Sequence, residues 1–264
     1  YEDNKKIGID RLLKIINGNY IILNNLGITN KDTIAIVLEN GPIFITSFLS
    51  SINYCTTAPL NPNYTFSEFT FYFKDLKPKA LITDLPNNHP SIKVAYKYKT
   101  KIIRLENFNF KINFKTLNKK KLKPSNLNDK ALILHTSGTT SRPKIVALTH
   151  QNLISSSQNI SKALLLKRTD KNIILMPSFH IHGIIASILA PLFAGSNVVA
   201  LPKFNVLTFY GYLDKYMPTW FTAVPTMLQS ILDRSKNNKL IIKNNKLRFI
   251  RSSSASLPSK TFKS

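Results

Sequence analysis

Residues 131–144 read Ala-Leu-Ile-Leu-His-Thr-Ser-Gly-Thr-Thr-Ser-Arg-Pro-Lys, and the fold is decided by how this stretch is read. Its first five residues form a short apolar run, the pattern of a buried strand. The next nine, Thr136 to Lys144, hold five hydroxyl side chains, one glycine and two cations. Gly138 lets the backbone approach a ligand closely. Hydroxyl and N–H donors around a cation suit a polyphosphate. The loop is not of the Walker A kind, which ends in Gly-Lys-Ser/Thr, and Pro143 stands where such a loop would begin its helix. A plain Ser/Thr-rich turn between two strands is the ordinary alternative.

Outward from this loop, short apolar strands alternate with helical patterns, which predicts an α/β protein. Strands are expected at residues 33–38, 80–84 and 101–105, with a helix-like run over 43–54 and a break at Ala58-Pro59-Leu60-Asn61-Pro62. Ser67 is the expected N-cap of a helix reaching Lys77. The polar, basic segment 107–129 reads as a connection between two halves, divided as 1–120 and 121–264. Beyond the loop, strands are expected at 172–176, 197–201, 221–224 and 247–251. An apolar helix over 183–194 and a helix opened by Pro225 lie between them. Trp220 and Phe221 read as core, and no internal repeat is visible.

Composition removes several function classes. The chain has 264 residues with 43% hydrophobic, enough for a real core. Its single cysteine, Cys55, cannot form an internal disulfide, so a reducing compartment is expected. The formal net charge is +24. A nucleic-acid-binding module would use such charge, but the lysines are spread along the chain among Asn and Ile, as codon drift would leave them, and no nucleic-acid partner is expected. No segment has the ~20 clean apolar residues of a membrane span, and no signal peptide is visible. The first residue is Tyr1 and Ser264 falls inside a helix-like pattern, so a piece of a longer chain is expected.

The order Thr-Ser-Gly-Thr-Thr-Ser-Arg-Pro-Lys resembles the phosphate-binding signature of the adenylate-forming superfamily: acyl-CoA synthetases, luciferases and peptide-synthetase adenylation domains. Further segments match in family order: 58–65, 148–153, Met176-Pro177-Ser178-Phe179-His180-Ile181-His182-Gly183, Leu201-Pro202-Lys203-Phe204 and 222–226. Ser141 and Ile145 stand where the family usually has Gly. If position 145 needs a positive φ, a β-branched residue there is strained. Phe-His-Ile-His-Gly and the run 248–257 look most like the oxalate-CoA ligase branch, near the 4-coumarate-CoA ligases.

The resemblance implies an incomplete large N-terminal domain of stacked β-sheets with helices, αβαβα-like, without the C-terminal lid. It implies ATP, Mg²⁺ and CoA as cofactors and a small carboxylic acid as substrate. The acid would become an acyl-adenylate and then a thioester. Thr136, Ser137, Gly138, Thr139, Thr140, Ser141 and Lys144 would hold the phosphates, with Thr139, Lys144 and His180 as catalytic residues. Lys203 would touch CoA. His180, His182, Arg251, Ser252, Ser253 and Ser254 would line the acid pocket. A metal held by His180 and His182 is not expected, since no Cys or carboxylate lies nearby at ligand spacing. Because later family motifs are missing, the 264 residues alone are expected not to catalyse adenylation. A truncated or degenerate nucleotide-binding remnant is the alternative, and a basic nucleic-acid-binding module the lesser one. The expected location is the cytoplasm, or the peroxisome if a targeting signal lies on a missing C-terminus.

Overall fold

The computed structural model describes residues 6–112, 123–136 and 143–263. They fall into two compact units, Lys6–Ile154 and a second beginning at Ser155. The α/β expectation holds in both.

The first unit is a seven-stranded sheet. Strand β1 (Thr33–Ile36) is flanked by β2 (Thr56–Pro59) and β3 (Ala80–Ile82), both parallel to it. β4 (Lys101–Glu106) continues parallel beyond β3, and β5 (Asn109–Lys111) closes that edge antiparallel. On the other side β6 (Lys130–Thr136) lies parallel to β2, and β7 (Lys144–Thr149) folds back on it. β1 is entirely apolar after its first residue, as a strand covered on both faces must be. Helix α1 (Ile9–Asn25) precedes β1, and α2 (Pro42–Ile52), α3 (Phe66–Leu76) and α4 (Pro90–Lys97) link β1 to β4 in turn; α5 (His150–Ala163) follows β7 and carries the division between units.

Three expectations change here. Residues 109–111 are not connector but an edge strand, anchored by fully buried Asn19, whose Oδ1 accepts the Phe110 N–H at 2.7 Å. Strands β6 and β7, which follow residue 120, lie in the first sheet, and the compact units divide after Ile154. The N-cap of α3 is Thr65 rather than Ser67. Thr65 Oγ1 accepts the Glu68 N–H, while the Glu68 carboxylate accepts the Thr65 N–H at 2.7 Å, a reciprocal capping box.

The second unit is a four-stranded parallel sheet of β8 (Lys171–Ile174), β9 (Asn197–Ala200), β10 (Trp220–Ala223) and β11 (Phe249–Ser252), in the order β11-β10-β8-β9. Trp220 and Phe221 are fully buried, as expected. Helices α6 (Ala190–Phe193), α7 (Val206–Tyr216), α8 (Pro225–Asp233), α9 (Lys239–Asn244) and α10 (Ser259–Phe262) complete it. The chain runs from β8 to β9 on one side, then reverses to β10 on the other. In open α/β sheets that reversal leaves a crevice at the carboxyl ends of the two strands, where ligands bind.

The apolar run after β8 is a π-helix over His182–Leu189 that passes into α6, not a plain α-helix. Pro191 explains it. Proline has no N–H for the carbonyl four residues back, Ser187, and its ring would press on that oxygen. The widened turn moves the ladder by one residue, with Ala190 N–H donating to Ile185 O. Asn172 Nδ2, buried in β8, donates to Ser187 O at 2.6 Å. No helix among the described residues is long and apolar enough to cross a membrane.

Candidate active site

Parallel strands all end on the same side, so the residues just past β8, β10 and β11 converge although they lie far apart in sequence. Thr222 pairs with Arg251 in the β10–β11 ladder, placing the two side chains next to each other on one face. His182 arrives from the entry to the π-helix after β8. Its Nε2 is 2.7 Å from Thr222 Oγ1 and 3.1 Å from Arg251 Nη1, and its Nδ1 is 2.9 Å from Ser254 Oγ. Arg251 Nη1 also donates to Thr222 Oγ1 at 3.1 Å.

These bonds fix the state of the imidazole. A guanidinium has donors and no acceptor, so Nε2 must present its lone pair and Nδ1 carries the proton toward Ser254. Burial, and then the adjacent Arg251 charge, push the His182 pKa down to about 4. Burial also lowers the pKa of Arg251. The cluster is a half-buried cation beside a neutral imidazole and two hydroxyls. Such a group takes an anion, and the planar fork of Arg suits a carboxylate.

Ser254 reaches His182 from a left-handed backbone position, φ 73°. Ser253 N–H extends the ladder to Ala223 O at 3.2 Å, and Ser252 Oγ is buried with no hydrogen-bond partner among the described residues. Gly183 is required beside His182: a Cβ there would stand 2.1 Å from Pro177 O. His180 does not join the cluster. His180 and His182 would share a side on a strand, but the chain here enters a helix, and the His180 ring, its pKa lowered by burial, lies 4.5 Å from the Phe179 ring centroid. Lys203 follows β9, exposed, and no hydrogen bond or ion pair joins it to the cluster among the described residues.

In the first unit, Thr136 and Lys144 face each other as the last pair of the β6–β7 ladder, both exposed. Between them in sequence run the residues expected to bind phosphate. Ser137, Gly138, Thr139, Thr140 and Ser141 lie outside the described residues. Ile145 is an ordinary ladder residue paired with His135 and is absent from the positive-φ positions, so it bears no left-handed strain.

Thr222 is the site residue that sequence reading did not single out. Its signal was present: a hydroxyl in the otherwise apolar Trp-Phe-Thr-Ala strand.

The model of the family described as AMP-binding enzyme matches residues 21–264. An oxalate–CoA ligase of Arabidopsis thaliana is 39% identical over 247 residues, which are 89% of this chain and 48% of that protein. An oxalate–CoA ligase of Saccharomyces cerevisiae is 34% identical, with 88% of this chain and 48% of that protein covered. The chain thus spans about half the length of the curated relatives it matches. Among solved structures, ATP-bound MatB from Rhodopseudomonas palustris superposes with a TM-score of 0.85 at 24% identity, covering 98% of this chain and 52% of that one. At that identity the likeness shows the fold alone.

Proposed function

Since the chain belongs to the AMP-binding enzyme family, we propose that it supplies the phosphate-loop and acid-recognition part of an ATP-dependent ligase for a small, doubly charged acid such as oxalate. In the reaction a carboxylate oxygen attacks the α-phosphorus of ATP and pyrophosphate leaves. The CoA thiol then attacks the acyl carbon, and AMP leaves as the thioester forms. The first step brings two anions together, so most of the catalytic demand is charge neutralisation and alignment.

Thr136 and Lys144 would bracket the ATP phosphates together with the hydroxyl-rich segment between them. No group of His, Cys, Asp and Glu among the described residues could cage a metal. Magnesium would therefore enter on the nucleotide phosphates with its waters. Lys203 would meet CoA from the end of β9, and His180 would border the acid pocket.

The observation that carries the acid assignment is Arg251, hydrogen-bonded to His182 and Thr222 at the carboxyl ends of the strands. A pocket for a long aliphatic acid has no use for a desolvated guanidinium, whereas the second carboxylate of a diacid does. The names of the two oxalate–CoA ligase relatives agree with this reading.

Calorimetric titration of this chain tests it. ATP should bind and Lys144→Ala should weaken it. Oxalate should bind in preference to hexanoate, with Arg251→Gln removing the preference. Absence of nucleotide binding, or preference for the aliphatic acid, would overturn the reading. Pyrophosphate exchange by this chain alone would overturn the expectation that it does not adenylate unaided.

A further inference from the structure

Arg251 lies on β11, the outermost strand of its sheet, which among the described residues pairs with β10 alone. Little in the strand's own sequence holds it in one register. The run Arg248-Phe249-Ile250-Arg251 sets two apolar residues between two arginines, so sliding it by one residue trades Phe for Ile. Ile250 is 49% exposed, so no fully buried face decides the alignment. A slip of one residue would turn Arg251 to the opposite face of the sheet.

Arg248, at the other end of the strand, is gripped. Its Nη2 donates to Asp170 Oδ2 at 2.7 Å and its Nε to Asp170 Oδ1 at 3.2 Å. Nη2 also donates to Leu165 O at 3.1 Å. The Asp170 side chain is only 4% exposed and is itself fixed, accepting from Lys167 N–H and Thr219 Oγ1 at 2.8 Å each. The Arg248 guanidinium rests 4.9 Å from the Phe249 ring, and Phe249 stacks on Trp220. A two-point fork on a nearly buried carboxylate sets orientation as well as distance.

We propose that the Asp170–Arg248 pair is a positioning device for the acid site. By pinning the register of β11 at its start, it delivers Arg251 to Thr222 and His182 about 10 Å further along the strand. It thereby sets selectivity for a doubly charged acid, a consequence that rests on the proposed reading of Arg251. The register itself does not depend on that reading. A single-residue slip is the alternative that the fork forbids, because it would bring Leu247 or Phe249, whose side chains have no donor, to the place of Arg248.

His182 reports on Arg251 without any ligand, so the test uses nuclear magnetic resonance titration of its ring in this chain. Arg248→Lys keeps the charge opposite Asp170 but removes the fork, and Asp170→Asn removes the charge; Arg251→Gln gives the value for a missing guanidinium. Both positioning variants should move the His182 titration toward that of Arg251→Gln. In Arg248→Lys, oxalate affinity should fall about tenfold, the loss of one charged hydrogen bond. If Arg248→Lys folds and His182 titrates as in the unaltered chain, the proposal is wrong. Should Asp170→Asn fail to fold, Arg248→Lys decides alone. If His182 shifts but oxalate does not bind the unaltered chain, the positioning stands and the acid reading falls.

Discussion

His182 Nε2 and Arg251 Nη1 stand 3.1 Å apart, an arrangement open only to a neutral imidazole. Burial is the larger cause of the low His182 pKa and Arg251 the second. Arg251→Gln should therefore raise it from about 4 by about one unit, and not as far as the free value near 6.5. The ring proton chemical shifts of His182 against pH measure this. Full recovery of the free value would mean that the guanidinium, not burial, is the main cause.

The same group makes folding sensitive to acid. In the unfolded chain His182 takes its proton near pH 6.5, whereas the folded chain resists until about 4. Above 6.5 both states are neutral and the group adds no pH dependence. Between 6.5 and 4 only the unfolded state gains a proton, so stability falls with falling pH, by about 1–3 kcal/mol given partial solvent access. Urea midpoints at pH 7.5 and 4.5 should differ more in the unaltered chain than in His182→Gln. His89, His150 and His180 also have lowered pKa values and act in the same direction, so only the difference between the two proteins isolates His182.

Gly183→Ala tests the tight passage that delivers His182. The added carbon would stand 2.1 Å from Pro177 O and 2.8 Å from Pro177 C, both backbone atoms that cannot swing aside. A loss of about 3 kcal/mol is expected, at the upper end for overpacking. Chemical denaturation reads it, and a stability unchanged within error would show that the turn from Pro177 to Gly183 has room to open.

The residues of this site were legible one at a time; their meeting was not. His182, Arg251 and Ser254 stood out as polar groups in matching motifs, yet what joins them is the parallel register that places Thr222 beside Arg251. The Asp170–Arg248 pair spans 78 residues and depends on that same register. No local pattern announces it. The π-helix was hidden because its cause is split between Pro191 and a buried asparagine on another element. The capping box differs: Thr65-Phe66-Ser67-Glu68 carries its whole signal locally, and Ser67 competes for the role only because it too is a hydroxyl, two residues on and already inside the helix. Strand β6 was plain from its apolar run, since burial on a sheet imposes that pattern directly, whereas β7, exposed over residues 144–147, was not among the expected strands.

Thr65→Ala should cost about 1 kcal/mol, the usual loss when an N-cap hydroxyl is removed. The side chain accepts from Glu68 N–H and its oxygen meets the Glu68 carboxylate at 2.7 Å, so Glu68→Ala should cost less than the sum when combined with it. Ser67→Ala is the control and should leave stability within about 0.5 kcal/mol. Equal losses at Thr65 and Ser67 would return the cap to Ser67.

Ile145→Gly separates strain from fit at the residue after Lys144. Were a left-handed backbone needed there, glycine would relieve strain and stabilise the chain. Ile145 instead pairs with His135 inside an extended ladder, with 45% of its surface exposed. A β-branched side chain suits that setting, and glycine adds disorder to the unfolded state. The substitution should therefore lower stability by about 1 kcal/mol. Because residue 145 already lies in the strand, it should leave ATP affinity within about twofold, far less than the loss from removing the Lys144 charge. Denaturation and calorimetry on the same preparation check both halves. A more stable protein that also binds ATP more tightly would show that isoleucine strains the approach to the loop.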